Sequence, residues 1–277
     1  MKYLLLVASS ILALTSCEVT VDLDLKQTES KVVIEGQVTD HPGKQYVKVT
    51  RSSGFYSTGP APRIQNAIVS VEDDLGTMHN FVHNPGAHPD SAGIYLPALP
   101  FVGEVGRTYL LKVTVDGVTY TAEDALASVI EVDSLTVRIN EEEKEDPKDE
   151  GKYYELLLFA REPQDQQNFY LFKFYRNDTL VYYSETDIYY SDDEFLAENI
   201  DGIPSPVFYG SGDIGRIEMY SLSRVGYVYF RDLWGLLNND AGGMFGPIPA
   251  SPRTNVKNGA LGFFQVSAVD VSEKIIE

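Results

Sequence analysis

Short segments of alternating apolar and polar residues recur along this chain, and most end in a cluster of turn residues. Residues 32–39 read VVIEGQVT and are followed by Asp40-His41-Pro42-Gly43. A period of two places every apolar side chain on one face of an extended strand, so each such segment is expected to be half of a β-sheet core. Residues 19–25 (VTVDLDL), 46–50, 67–72 and 108–115 read the same way. Asp116-Gly117 lies between KVTV and VTYTAE. It is the clearest hairpin signal, because a type I′ turn needs positive φ at both central residues. About seven short strands in roughly 105 residues predict a β-sandwich.

The pattern loosens after Ala122 and restarts at Val132-Asp133-Ser134-Leu135. Residues 141–150 (EEEKEDPKDE) form a run of charge that is expected to be an exposed loop. Strands follow at 153–160, 168–175, 180–183 and 216–222, with a hairpin at Asn177-Asp178. Residues 223–238 (SRVGYVYFRDLWGLLN) carry the one helical period: Phe230, Leu233, Trp234 and Leu237 share a face, and Ser221 or Ser223 serves as cap. A last strand is expected at 262–269. The fold class expected is therefore mainly β. Residues 17–127 form an N-terminal sandwich, and 128–277 form a second β-rich domain with the helix at 223–238.

The N-terminus has the three-part layout of an export signal. Lys2 is followed by the apolar run YLLLVASSILAL and then by Leu14-Thr15-Ser16-Cys17. An aliphatic residue, two small ones and a cysteine make a lipobox, in which the thiol becomes the thioether to diacylglycerol. The apolar run is shorter than the ~20 residues that span a bilayer. Cys17 is also the only cysteine, so no internal disulfide can form and the fold must rest on core burial. Residues 1–16 are thus read as a signal peptide, Cys17 as the lipid attachment site, and the membrane as a partner through that anchor. The mature chain has 21 basic and 41 acidic side chains, net −20, which argues against nucleic acid and anionic membrane surfaces as partners.

Other motifs were weighed against plainer readings. Gly210-Ser211-Gly212-Asp213-Ile214-Gly215 matches G-x-G-x-x-G, but the strand RIEMYSL follows where a dinucleotide site needs a helix. It reads as a turn. His79, His83 and His88 fall within ten residues, yet on a strand the first two stand ~13 Å apart, so they read as surface residues. Asp192-Asp193-Glu194 lacks a calcium-loop pattern. The flanking Tyr182, Tyr183, Tyr189 and Tyr190 suit sugar or protein contact, or plain strand packing. No G-x-S-x-G or H-E-x-x-H motif occurs. No catalytic residue, cofactor or metal is assigned, and the chain is read as a non-enzyme.

Several segments resemble lipoproteins that carry domain of unknown function 4249. They are CEVTVDLDL, VVIEGQVTDHPGKQYVKVTRS, AIVSVEDDLG, GRTYLLKVTVDGVTYTA, FYLFKFYRND, SLSRVGYVYFRDL and NVKNGALGFFQVSAV. The resemblance implies a transthyretin-like or Ig-like N-terminal sandwich before a second β-rich domain. It also implies an outer-membrane location and a TonB-dependent nutrient transporter as partner. The expected function is that of a non-catalytic accessory lipoprotein. The alternatives are a structural or adhesive surface lipoprotein, and a hydrolase working through carboxylates. The loops 52–62 and 242–252, with Phe55, Tyr56, Met244 and Phe245, are the expected contact regions.

Overall fold

The computed structural model describes residues 29–54, 57, 59–83, 91–194, 196–238 and 251–277. Cys17, the strand expected at 19–25, His88, Phe55, Tyr56, Met244 and Phe245 lie outside the described residues.

Seven strands come first: β1 (Val32–Thr39), β2 (Tyr46–Arg51), β3 (Ile68–Asp73), β4 (Met78–His83), β5 (Ile94–Pro97), β6 (Thr108–Val115) and β7 (Val118–Ala125). An eighth, β15 (Leu261–Ser267), arrives from the far end of the chain. They form one sheet in the order β15-β1-β2-β5-β4-β3-β6-β7. Neighbours are antiparallel except β1 and β15, which run parallel with Ile34 opposite Gly262. The alternation in β6 translates directly into burial of Tyr109, Leu111, Val113 and Val115. Asp116 (φ 50°) and Gly117 (φ 80°) make the expected turn into β7.

The expectation of two stacked sheets takes a different form here. A single twisted sheet curls until its edge strands β7 and β15 lie side by side, giving a nearly closed barrel around Ile34, Val49, Val71, Leu111 and Phe264. Strand count alone could not anticipate this, because the eighth strand comes from residues 261–267. Residues 255–258 fill the seam. The Lys257 N–H donates to the Thr121 carbonyl (2.8 Å), and Asn255 Nδ2 donates to the carbonyls of Glu123 (3.1 Å) and Phe264 (2.7 Å). The Asp124 carboxylate accepts the Val266 N–H at 3.0 Å. Side chains thus supply bonds that a strand ladder would otherwise make.

The remaining strands build a true two-layer sandwich. One sheet contains β8 (Val132–Ile139), β9 (Tyr154–Arg161) and β13 (Asn199–Tyr209), in the order β13-β9-β8. The other contains β10 (Phe169–Arg176), β11 (Thr179–Leu180), β12 (Tyr189–Asp192), β14 (Ile214–Ser221) and β16 (Val269–Ile275). Its order is β11-β10-β14-β16, with β12 also on β10. Leu156, Leu158, Ile200 and Val207 of the first sheet meet Phe174 and Ile217 of the second.

Residues 141–150 differ from the exposed loop expected. Glu141–Glu145 form a short helix, α1, whose start is capped by Asn140 Oδ1 accepting the Glu143 N–H at 3.0 Å. Most of the run is exposed, but Glu143 is buried because it accepts the Lys148 N–H at 3.0 Å and pairs with Lys148 Nζ at 3.2 Å. The main helix, α2 (Arg224–Asn238), begins where expected, with Ser223 Oγ accepting the Gly226 N–H at 3.1 Å. Its buried side differs. Tyr227 stacks on Phe169 (4.8 Å) and Tyr229 on Phe263 (4.7 Å), so α2 is wedged between β10 and β15. Trp234 and Leu237, on the apolar face read from the sequence, are 44% and 43% exposed. The last turn overhangs the sandwich.

β15 and β16 are separated by Ala268 alone, so one ribbon serves the barrel and then the sandwich. The sequence boundary at 127/128 therefore has a strand crossing back over it. Buried Ser221 and Ser267 fasten the crossing. Ser221 Oγ donates to the Ala127 carbonyl (2.6 Å) and accepts the Ala268 N–H (2.9 Å), while Asp40 Oδ1 accepts the Val269 N–H (2.9 Å). Lys44 of the β1–β2 turn reaches Glu218 of β14 at 2.7 Å, and the Tyr220 hydroxyl donates to the same carboxylate at 2.6 Å. Burial works to raise the Glu218 pKa, but Lys44, Tyr220 and Arg216 outweigh it and hold the carboxyl below its ordinary value.

Two predictions follow from this anatomy. Gly262 has φ +97°, and a Cβ there would collide with the Ile34 carbonyl oxygen on the parallel strand. Gly262→Ala should cost at least ~3 kcal/mol in urea unfolding. Gly43→Ala, at φ +78° in open space, should cost only about 1 kcal/mol. Equal losses would show that the β1–β15 approach is not the constraint. Asp124 is the second test. Burial raises its pKa to about 6 from 3.8, against hydrogen bonds from Ser223, Val266 and Ala125 that lower it. A carboxyl that binds protons more tightly when folded favours the fold below its unfolded pKa. That contribution fades as pH rises through the folded value. Wild type should therefore lose ~2 kcal/mol relative to Asp124→Asn between about pH 4 and pH 7. Parallel urea-midpoint profiles for the two proteins would contradict this.

Candidate functional site

At the end of β13, Arg176 Nη1 of β10 donates to the Phe208 carbonyl at 3.0 Å, but the two sheets of the sandwich close against each other most extensively on the opposite side. There, β8 and β16 approach each other. On the other side lie the free edges, β13 and β12, and between them the interior stays open.

The sequence of β13 explains the opening. Its ladder to β9 slips between Asp201 and Ile203 and again between Pro204 and Phe208. Pro204 and Pro206 have no N–H to offer, which confines them to an edge and bends the strand away. The Leu156 N–H on β9 then has no partner in the ladder. Ser205 takes that place: its Oγ accepts the Leu156 N–H at 3.1 Å and donates to the Val207 carbonyl at 2.8 Å. The same prolines keep the edge from recruiting another strand.

The result is a cleft of about 410 Å³. Its floor is formed by core side chains of the sandwich, Leu158, Phe172, Phe174 and Ile217. Ile203 to Pro206 form one wall, and Ile188, Tyr189 and Tyr190 the other. Trp234 of α2 stands at the lip. The rings are set at angles typical of aromatic clusters: Phe174 meets Tyr189 edge-on at 5.2 Å, and Tyr190 meets Trp234 at 6.4 Å and 65°.

Two polar groups of the walls are occupied. Ser205 is committed to the backbone. The Tyr189 hydroxyl donates to Asp187 Oδ2 at 3.1 Å, and that oxygen also accepts the N–H groups of Tyr183 and Ser184. Burial first, then the Asp187 charge, pushes the Tyr189 phenol well above its ordinary pKa. Burial likewise raises Tyr190, with Arg231 opposing. Both rings are therefore neutral donors at physiological pH, and the cleft can offer apolar contact and ring stacking.

Among the sequence candidates, Tyr189 and Tyr190 meet at this cleft. Tyr183 instead accepts the Phe208 N–H at 3.0 Å, and Tyr182 is half exposed away from the lining. Asp192 and Asp193 hold the structure together: Asp192 accepts the Tyr227 hydroxyl at 2.7 Å, docking α2, and Asp193 accepts the Asn168 N–H at 2.6 Å. His79 stacks on Phe101 at 3.7 Å, whereas His83 accepts the Gly93 N–H at 3.1 Å. They share strand β4 and do not converge. Among the described residues no three His, Cys, Asp or Glu side chains are grouped to hold a metal. Gly210–Gly215 is a turn in which Asp213 accepts the Gly210 N–H at 2.7 Å and β14 begins at Ile214.

A family model described as domain of unknown function (DUF4249) matches residues 18–273. The chain belongs to the DUF4249 family. A comparison with curated proteins found no match. The DUF4249 match spans the barrel, the sandwich, α2 and nearly all of the 261–275 ribbon, so the cleft and everything that shapes it lie inside one family unit. Sequence reading overlooked β13. Its signal was present in Pro204-Ser205-Pro206, which marks an edge strand inside an otherwise apolar stretch.

Ser205→Ala should leave the buried Leu156 N–H without its partner. The expected loss is about 1–3 kcal/mol, read as a Tm lower by roughly 3–10 °C in thermal circular dichroism. An unchanged Tm would mean that Ser205 does not replace the missing ladder bond.

Proposed function

We propose that this DUF4249 protein is a lipoprotein anchored to the outer membrane through Cys17, that it binds rather than catalyses, and that it is an accessory partner of a TonB-dependent nutrient transporter. The observation that carries the binding reading is the preformed aromatic cleft, whose wall hydroxyls on Ser205 and Tyr189 are already engaged. A concave, largely apolar site with few polar groups is a typical place for ligand recognition. The anchor reading is supported by Leu14-Thr15-Ser16-Cys17 and by the absence of any other cysteine. A net charge of −20 on that mature chain suits a body held away from anionic headgroups. The transporter partnership rests on the resemblance to DUF4249 lipoproteins.

The test is affinity capture of the full-length protein from gently solubilised membranes, followed by mass spectrometry, with Cys17→Ala in parallel. Wild type should label with fatty acid, sediment with membranes and bring down a TonB-dependent transporter above a control lipoprotein. Cys17→Ala should appear in the soluble fraction without label. A variant that stays membrane-bound and labelled removes the anchor assignment. Capture without any transporter removes the partnership.

A further inference from the structure

We infer that the cleft between β12 and β13 is a binding site for a neutral, planar apolar molecule of one or two fused rings, with Trp234 as its lip. This rests on the reading of the cleft as the binding site and names the class of ligand.

Four observations narrow the class. First, size: about 410 Å³ holds a small molecule, not a folded segment. Second, polarity: the Ser205 hydroxyl is used by the backbone and the Tyr189 hydroxyl by Asp187. That leaves the Tyr190 hydroxyl and the Trp234 indole N–H as the lining side-chain groups able to meet a guest's polar atoms, so a sugar or other polyhydroxyl ligand would bury most of its own donors without partners, at a cost of several kcal/mol. Third, charge: the cleft is lined by no Asp, Glu, Lys, Arg or His, and the nearby carboxylates Asp187 and Asp192 lie outside the lining, holding backbone and tyrosine donors of their own. The mature chain's net charge of −20 disfavours an anion. Fourth, shape: Phe172, Phe174, Tyr189, Tyr190 and Trp234 present ring faces and edges, whereas Pro204 and Pro206 form a flat, rigid opposite wall. Offset or edge-to-face packing rewards a planar guest over a flexible chain, which would also lose rotamer freedom on binding.

The lip supports an occupant. Trp234 and Ile203 are 44% and 45% exposed in the lining of the cleft. Large apolar side chains that cluster at the rim of a concave site gain by being covered. Trp234 is also the chain's only tryptophan, so its emission reports on this site alone.

The experiment uses the purified mature protein and N-phenyl-1-naphthylamine, a neutral aromatic probe that accepts energy from tryptophan. Saturable one-to-one binding with a Kd on the order of 10 μM is expected, with Trp234 emission quenched and probe emission enhanced. Tyr190→Ala and Phe172→Ala should each weaken binding about tenfold, which is ~1.4 kcal/mol. Phe101→Ala, in the barrel against His79, should leave it unchanged. Trp234→Phe should keep the probe enhancement and abolish the energy transfer. Absence of saturable binding, or a Phe101→Ala effect equal to that of Tyr190→Ala, overturns the site. Displacement of the probe by 1-decanol at lower concentration than by naphthalene overturns the ring assignment in favour of an acyl chain. Transporter capture is scored separately. If a transporter is captured but the probe does not bind, the ligand class falls alone; if the probe binds but no transporter is captured, only the partnership falls.

Discussion

The structure depends on the ribbon 261–275. Its first half lies parallel to β1 and supplies the barrel's eighth strand; its second half pairs with β14 in the sandwich. Parallel pairing cannot be made by a hairpin and needs a long crossover. Here the crossover is nearly the whole protein. Without β15, the edge of β1 would present unpaired backbone groups, and Phe264 and Val266 would leave the barrel core. Without β16, β14 would lose its partner along seven residues. The barrel and the sandwich therefore share one source of stability. Ser221, Ser267 and Asp40 fix the point where the ribbon changes sheet.

The cleft has the opposite logic, since it arises where pairing is withheld. Most sandwiches bury both inner faces by bringing edges together. In this one, two prolines and a double slip in register hold β13 off, and a single serine hydroxyl meets the backbone donor that the distortion exposes. A short strand, β12, forms the facing edge and carries two tyrosines into the gap. Helix α2 then projects a tryptophan over it. Asp192 links these parts, because the residue that ends β12 also docks Tyr227 of α2. Position of wall and position of lip are thereby coupled.

Much of the local structure was legible in the sequence. Alternation gave β1, β3 and β6 within a residue, the start of β8 was legible at Val132, and Asp116-Gly117 and Asn177-Asp178 gave turns with positive φ. Helix α2 was legible from its period and its serine cap. What could not be read was pairing across distance. Nothing in LGFFQVS says that it lies beside VVIEGQVT, since two strands of the same period fit many partners. The charge run 141–150 concealed α1, because its stability comes from Asn140 and Lys148 rather than from an apolar face. The cleft was half legible: Tyr189 and Tyr190 stood out, but β13 reads as a broken apolar segment until its role as an edge is known. Trp234 looked like a core residue because periodicity reports which residues share a face and not what that face meets.

The ribbon also sets the order of events in folding. Asp40 and Val269 are 229 positions apart yet share a hydrogen bond. Contacts of such separation form late, after the closure entropy of the intervening chain has been met. A nascent or threading chain can therefore pair β1 with β2 and close the β6–β7 hairpin early. It cannot shut the barrel until residues 261–267 have arrived. Until then the protein remains an open, unlocked sheet, and the last strands to appear act as the latch.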